Sequence, residues 1–255
     1  MQAIILAAGR GRRLWPFTTD LPKCLLPLDG RCILEQQLHA LEQAGVTEAL
    51  VVCGFGVQRV RETLAGRSGP LRLQLLYNPL CTITDNLISL WTVRRLMADE
   101  LILINGDVVF HPDLLAGLLG TTGTGCLVVS RKAAYDEDDM KVKLRQGRVV
   151  RVGKHLAAED TDAESVGMMR FSGAGVEGLR QALEEVTLEP QACRGYFLEA
   201  VQRLVDHGLP MVAWDCGELP WADVDTPEDL RRVRQRVHLF APAAPRSGAA
   251  EGGMR

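Results

Sequence analysis

A turn rich in glycine and arginine lies directly after an apolar run near the N-terminus, and it limits the folds that this chain can adopt. The run at residues 4–8 has the composition of a buried strand, and Gly9-Arg10-Gly11-Arg12-Arg13 follows it at once. Glycine lets backbone N–H groups approach an anion closely, and arginine adds forked donors that match phosphate oxygens. Lys23 adds a further positive charge nearby in the sequence. The pattern therefore predicts a phosphate site at a strand end, in an enzyme that handles a nucleoside triphosphate.

Composition and charge exclude several classes of protein. The 255 residues are 47% hydrophobic and 24% charged with a net charge of −3, which is ordinary for a soluble globular protein. No basic surplus indicates binding to nucleic acid or to an anionic membrane. No apolar run reaches the roughly 20 residues of a membrane span, and the N-terminus has no secretion-signal pattern. The seven cysteines are scattered without a Cys-x-x-Cys pair, which favours free thiols and a cytoplasmic location.

Strand and helix patterns alternate in the first half of the chain. The predicted strands are at residues 2–7, 48–53, 71–77 and 101–105. Helices are predicted at residues 31–44 and 85–97, where apolar residues recur with helical spacing. Strands separated by helices of this length favour a parallel sheet that is covered on both faces.

The second half of the chain mixes these patterns. Further strands are predicted at residues 126–131, 165–171 and 211–215, with a hairpin of 141–144 and 149–152 around Gln146-Gly147. A helix is predicted at 197–207, and Thr226-Pro227 begins the last helix with a cap and a first-turn proline. We expect one α/β domain over residues 1–240, with a mixed, mostly parallel central sheet. Residues 241–255, rich in Ala, Pro, Gly and Ser, are expected to form a disordered tail.

The N-terminal pattern extends beyond the glycine turn. Its motif is Leu6-Ala7-Ala8-Gly9-x-Gly11-x-Arg13-Leu14, then Pro16-x-Thr18, then Pro22-Lys23-x-Leu25-x-Pro27-Leu28. This motif resembles the N-terminal signature of the sugar-phosphate nucleotidyltransferase superfamily, and the resemblance continues to about residue 238. It implies a Rossmann-like, GT-A-like fold with a nucleotide-binding first half. The turn lacks the third glycine of a dinucleotide fingerprint and the spacing of a P-loop, which excludes a dehydrogenase-type cofactor site.

Three later segments resemble one branch of that superfamily, which contains phosphocholine and aminoalkylphosphonate cytidylyltransferases. The segments are residues 85–90, 136–142 and 152–154. Asp85 stands where many members of the branch carry a second asparagine. The resemblance implies transfer of CMP from CTP to a small phosphate or phosphonate acceptor, with release of pyrophosphate, by a monomer or a homodimer. A sugar-1-phosphate or cyclitol-phosphate nucleotidyltransferase and a non-catalytic nucleotide sensor remain alternatives.

Carboxylates at two later positions are candidate magnesium ligands. Asp107 follows an apolar strand, and Asp223 and Asp225 share one face of an extended segment. Mg²⁺ binds through one or two carboxylates together with substrate phosphate oxygens. The resemblance implies Asp107 and Asp225 as ligands, with Asp223 assisting. From the residues alone, Asp107 could be a turn aspartate, and Asp225 could support the cap of the last helix.

The resemblance also assigns the nucleotide contacts. The amides of Gly9 and Gly11, with Arg13, are expected at the β- and γ-phosphates, and Lys23 at the α-phosphate. Arg13 and Lys23 are therefore the expected catalytic residues. The other expected nucleotide-binding residues are Leu6, Ala8, Asn86 and Gly106.

Acceptor recognition is expected around an acidic run at residues 136–139. Asp136 and Asp139 would suit a cationic head group and Lys141 the acceptor phosphate, although a solvated loop or a metal site would show the same pattern. The remaining expected substrate-binding residues are Ser89, Lys154 and Glu164. Glu164 resembles an acceptor-site acid of the sugar enzymes in the superfamily, which supports the sugar-1-phosphate alternative. Five aromatic residues could surround a choline-like cation or belong to the core: Trp91, Trp214, Trp221, Tyr135 and Tyr196.

Overall fold

A computed structural model describes residues 1–240, and the predicted tail at 241–255 lies outside the described residues. The strands are β1 (Gln2–Ala7), β2 (Glu48–Cys53), β3 (Arg72–Tyr77), β4 (Glu100–Asn105), β5 (Val108–Phe110), β6 (Gly125–Ser130), β7 (Lys141–Arg145), β8 (Arg148–Gly153), β9 (Ala163–Ser172), β10 (Met211–Asp215) and β11 (Trp221–Asp223). The α-helices are α1 (Ile33–Gln43), α2 (Val57–Leu64), α3 (Asn86–Val93), α4 (Pro112–Leu119), α5 (Ala174–Val186), α6 (Leu198–Asp206) and α7 (Pro227–Gln235).

A nine-stranded sheet runs through the centre of the molecule in the order β3-β2-β1-β4-β9-β6-β10-β8-β7. β3, β2, β1 and β4 are parallel neighbours, and β10 is parallel to β6. β9 is antiparallel to both β4 and β6, and the hairpin of β7 and β8 closes the far edge. The predicted mixed sheet is confirmed, with four parallel and five antiparallel strand pairings, so it is less parallel than predicted. Both halves of the chain contribute strands to it, whereas the assignment of residues 1–240 to one domain stays a prediction.

The sheet is covered by helices on both faces because its central strands are apolar on both sides. In β1, Ile4 and Leu6 belong to a core that includes side chains of α3, α5 and α6. Ala3, Ile5 and Ala7 belong to a second core that includes side chains of α1, α2 and α4. Successive side chains of a strand point to opposite faces, so a doubly covered strand appears in the sequence as an uninterrupted apolar run.

A small second sheet carries the acidic segment near the end of the described chain. β11 pairs antiparallel with β5, and Asp223 lies opposite Val108. Thr226 caps α7 in a capping box with Asp229, whose Oδ2 accepts the Thr226 N–H at 2.8 Å. The predicted cap is confirmed, and its carboxylate comes from Asp229 instead of Asp225.

Tertiary hydrogen bonds explain why the helix predicted at residues 85–97 ends earlier in the structure than in the prediction. α3 stops at Val93 and a 3₁₀ turn follows at Arg94–Leu96. Arg180 of α5 donates to the carbonyl oxygens of Arg94 and Met97, which replaces the bonds of a last helical turn.

The predicted hairpin turn between β7 and β8 is confirmed, with both Gln146 and Gly147 at positive φ.

Two predictions about the whole chain can be compared with the described part of it. Within residues 1–240, no helix has the length and apolar character needed to cross a membrane. All seven cysteines fall in this part and are free thiols.

Candidate active site

The carboxyl ends of β1 and β4 open into a cavity of about 690 Å³. Open α/β sheets bind ligands in a crevice at this edge. The predicted site residues that line the cavity are Leu6, Ala8, Gly9, Gly11, Lys23, Asn86, Ser89, Gly106, Asp107 and Asp225. The predicted site residues outside its lining are Arg13, Asp136, Asp139, Lys141, Lys154, Glu164 and Asp223.

Gly106 lets the ends of β1 and β4 approach each other at the cavity floor. Its N–H donates to the Leu6 carbonyl at 3.0 Å. A Cβ at this position would lie 2.7 Å from the Leu6 oxygen and 2.8 Å from the Ala7 Cα, closer than real contacts allow. The segment Asn105-Gly106-Asp107 therefore needs glycine for the packing of the two strand ends.

We expect Gly106→Ala to lower the free energy of unfolding by about 1–3 kcal/mol, because the added methyl meets backbone atoms that cannot move aside. Urea unfolding followed by circular dichroism measures this change. Gly66→Ala is the matched control, since a Cβ at Gly66 meets nothing within 4 Å. Equal stability of the two variants would show that the strand ends have room to separate.

Lys23 lies between two of the predicted metal ligands. It is 8% exposed, and its Nζ donates to Asp107 Oδ2 at 2.7 Å and to Asp225 Oδ1. Burial opposes the charge on Lys23, but the two carboxylates outweigh it and raise the Lys23 pKa. The ammonium group is therefore protonated at neutral pH. The same contacts lower the pKa of Asp225 against the effect of its burial.

Asp223 is held in an environment that disfavours its negative charge. Burial and the nearby Asp107 carboxylate raise the Asp223 pKa well above the ordinary value. The buried Oδ1 atoms of Asp107 and Asp223 have no hydrogen-bond partner among residues 1–240. Two buried oxygens without partners, next to like charge, favour a bound cation or proton at this position.

Arg13 connects this centre to the acidic loop. Its guanidinium donates to Asp225 Oδ2 at 2.7 Å and to Asp138 Oδ2 at 2.9 Å. Asp138 also pairs with Lys154 Nζ at 3.3 Å. The loop acid that pairs with Arg13 and Lys154 is thus Asp138, which the sequence did not single out.

The two loop acids that were predicted to contact the acceptor have other partners. Asp136 Oδ1 accepts the backbone N–H groups of Asp138 and Asp139 at 2.9 and 3.2 Å. Lys132 pairs with Asp139 at 2.7 Å and with Glu164 at 2.8 Å. Asp139 and Glu164 therefore share one lysine, and both lie outside the cavity lining.

The other predicted acceptor residues differ in their access to the cavity. Lys141 is buried, and its Nζ donates to the Lys154 carbonyl at 3.1 Å. Ser89 lines the cavity but is 3% exposed and accepts a hydrogen bond from Asn78 at 3.0 Å. Asn86 also lines it, and its Oδ1 accepts the Phe197 N–H at 2.9 Å.

The five candidate aromatic residues do not form one box. Tyr196 alone among them lines the cavity. Trp91, Trp214 and Trp221 pack against the two main cores, which is the alternative that the sequence left open. Tyr135 lies on a separate surface concavity with its ring 5.8 Å from Lys132 Nζ.

Several cavity residues were missed in the sequence. Phe55 follows β2, whose carboxyl end is at the same sheet edge as that of β1, so the strand pattern could have indicated it. Arg10 lies over the Phe55 ring at 4.7 Å. Arg194 precedes α6 and lies more than a hundred positions along the sequence from the cavity residues of the β3–α3 connection. No local pattern in the sequence marks it.

Comparison with known proteins adds a family and a fold. The family model of the MobA-like NTP transferase domain matches residues 3–166. The CMP-5′-(3-aminopropyl)phosphonate synthase of Streptomyces rubellomurinus is 29% identical over 257 residues, which cover 95% of this chain and 39% of that protein. The CTP:phosphoglutamine cytidylyltransferase of Campylobacter jejuni is 27% identical over 189 residues, 68% of this chain and 73% of that protein.

A solved structure shares the fold. The inositol-1-phosphate CTP transferase from T. maritima superposes with a TM-score of 0.76 at 22% identity, covering 94% of this chain and 95% of that one. This likeness confirms the predicted Rossmann-like α/β fold. The chain spans about two fifths to one half of the length of the first curated relatives that it matches.

Proposed function

Because the chain belongs to the family of MobA-like NTP transferase domains, we propose that it transfers CMP from CTP to a small phosphate or phosphonate acceptor. Phosphocholine and aminoalkylphosphonates are the acceptor types that the sequence favours. The observation that carries the proposal is the arrangement of Lys23, Asp107 and Asp225 at the floor of a cavity lined by a glycine- and arginine-rich turn.

The reaction joins two anions, and this determines what the site must supply. An acceptor oxygen attacks the α-phosphorus of CTP in line, the new O–P bond forms, and the bond to the β-phosphate oxygen breaks to release pyrophosphate. The attacking oxygen already carries negative charge at neutral pH, so no strong general base is needed. The barrier comes mainly from charge repulsion and orientation, which positioned cations reduce.

In this proposal, positive groups of this chain reduce the charge repulsion. Lys23 is protonated at the cavity floor and would neutralise the α-phosphate as charge shifts to the leaving group. Arg10 and Arg12 line the cavity beside the amides of Gly9 and Gly11, where the β- and γ-phosphates would lie. Arg13 would contribute once a substrate anion replaces Asp138 on its guanidinium.

The carboxylates fit a magnesium ion, which we include in the proposal. Asp107 and Asp225 would hold it, and the buried Oδ1 atoms of Asp107 and Asp223 have no partner among the described residues. No group of three or more His, Cys, Asp or Glu side chains within residues 1–240 is arranged as a metal site, so nucleotide phosphates would complete the coordination. Bound Mg²⁺ would supply further neutralisation of phosphate charge.

The sugar-1-phosphate alternative has less support from the site. It was based partly on Glu164 as an acceptor-site acid, and that carboxylate is 9% exposed and paired with Lys132 outside the cavity lining. The cavity is lined by other residues, among them residues of the β3–α3 connection and of the segment before α6.

Pyrophosphate release in the presence of Mg²⁺ tests the proposal. Each of CTP, UTP, dTTP, GTP and ATP is combined with phosphocholine, 2-aminoethylphosphonate, glucose 1-phosphate, mannose 1-phosphate and inositol phosphate. We expect pyrophosphate release only when CTP is combined with phosphocholine or 2-aminoethylphosphonate. We expect none above background from Asp107→Ala. Release restricted to a sugar 1-phosphate would contradict the proposal, and thermal stabilisation by nucleotide without any turnover would indicate a sensor.

A further inference from the structure

One wall of the cavity is built by pairing the start of α3 with the segment before α6. The Asp85 N–H donates to the Cys193 carbonyl at 2.9 Å, and the Leu87 N–H donates to the Gly195 carbonyl at 3.3 Å. These bonds place the side chains of Asp85, Arg194 and Tyr196 on the lining of the same cavity that contains Lys23. The wall therefore presents charged and aromatic groups to the cavity.

Asp85 is a cavity carboxylate without a partner. Within residues 1–240 its side chain makes no capping hydrogen bond to α3 and is paired with neither Arg194 nor Lys154. Asp85 is exposed as a whole, but partial desolvation raises its pKa, while Arg194 and Lys154 act in the opposite direction. Both cations are near enough to influence the carboxylate, yet neither is bonded to it. A cationic group of a ligand would find an open acceptor here.

The aromatic rings that line the cavity already face cationic side chains of the protein. Lys154 Nζ lies 5.2 Å from the centre of the Tyr196 ring, and the Arg10 guanidinium lies 4.7 Å from that of Phe55. A trimethylammonium group has no N–H donor and binds best where several aromatic faces surround it. The described cavity offers no such cage.

We propose that the acceptor carries a primary ammonium group and that Asp85 binds it, which makes Asp85 a specificity-determining residue of this site. The inference rests on the proposed transfer of CMP to an amine-bearing acceptor, and it selects one of the two acceptor types named there. A primary ammonium has three N–H donors, and a carboxylate accepts them in charge-assisted hydrogen bonds that trimethylammonium cannot form.

Asp85→Asn isolates this role from a structural one. Asp85 is the N-cap residue of α3, but its side chain makes no capping hydrogen bond, and its backbone bond to Cys193 does not depend on the side chain. The substitution removes charge with little change in shape. Asp99→Asn is the matched control, because Asp99 is exposed and is not part of the cavity lining.

The experiment compares kcat/KM for 2-aminoethylphosphonate, phosphoethanolamine and phosphocholine at saturating CTP. The wild-type chain is expected to prefer both primary amines to phosphocholine by at least about tenfold. Asp85→Asn is expected to lower kcat/KM for the primary amines by roughly 10- to 100-fold, the loss of a hydrogen bond to a charged group. The KM for CTP and all parameters of Asp99→Asn should stay unchanged.

Different failures point to different errors. Better use of phosphocholine by the wild-type chain overturns the inference and leaves the proposed function standing, and this result needs no variant. An Asp85→Asn effect confined to the KM for CTP would place Asp85 at the nucleotide instead, which also overturns it. Turnover with sugar 1-phosphates alone overturns the proposed function and the inference together. Circular dichroism of Asp85→Asn separates a folding defect from these outcomes.

Discussion

Lys23→Ala is expected to lower kcat by about 10²-fold or more, the usual loss when a positioned group that stabilises the transition state is removed. The Lys23 ammonium is buried at the cavity floor between Asp107 and Asp225. Because these carboxylates raise its pKa, Lys23 remains protonated at neutral pH, where the reaction is assayed. Alanine leaves no positive group at this point of the floor.

The variant also removes the positive charge between the Asp107 and Asp225 carboxylates, which then repel each other. Stability must therefore be measured beside activity. Removing one partner of a partly buried ion pair leaves the remaining charge without compensation. Thermal unfolding of Lys23→Ala shows how much of the protein is folded at the assay temperature. Lys143→Ala is the control, since Lys143 pairs at 3.5 Å with Asp162 on a half-exposed surface. Unchanged kcat in a folded Lys23→Ala protein would remove Lys23 from the mechanism.

The parts of the site that lie within short stretches of chain were predictable. β1 was recognisable because it is buried on both faces, and its glycine turn because an anion site needs exposed backbone N–H groups. Asp107 was placed by its position at the end of an apolar strand. Each inference needs only a few neighbouring residues and the general geometry of a parallel sheet.

Contacts between distant parts of the chain could not be predicted in the same way. Lys23 meets Asp225 across 202 positions of sequence, and Arg13 meets Asp138 across 125. Nothing local distinguishes Asp138 from Asp136 and Asp139 in the acidic run, yet the fold directs Asp138 to Arg13 and turns Asp139 to Lys132. The residue types were informative, whereas the partners depend on strand order and loop path.

The roles of the aromatic residues could not be predicted from the sequence either. A cation-binding box and a buried core draw on the same side chains, so their identity in the sequence does not separate the two. Trp214 packs against α4 so closely that a Cβ at Gly117 would lie 2.1 Å from its ring. Only the fold shows that this tryptophan fills the space between a strand and a helix.

Asp107→Asn is expected to lower kcat by about 10²-fold or more and to raise the Mg²⁺ concentration needed for half-maximal rate. Asparagine keeps the size of the side chain and one oxygen near Lys23, but it removes the negative charge. That charge stands beside Asp223, whose pKa is already raised by burial and by Asp107. A site that attracts a divalent cation through these carboxylates should therefore lose affinity for it.

Stability has to be measured beside activity for this variant as well. Removing the Asp107 charge lessens the like charge near Asp223 but breaks the ion pair with buried Lys23, so a lower unfolding temperature is expected together with the loss of activity. A Mg²⁺ titration of pyrophosphate release at fixed CTP measures the first effect, and a thermal melt without nucleotide measures the second. Asp99→Asn controls for the loss of one negative charge elsewhere on the surface. If the titration midpoint of Asp107→Asn coincided with that of the control, the metal would have to be held by other groups.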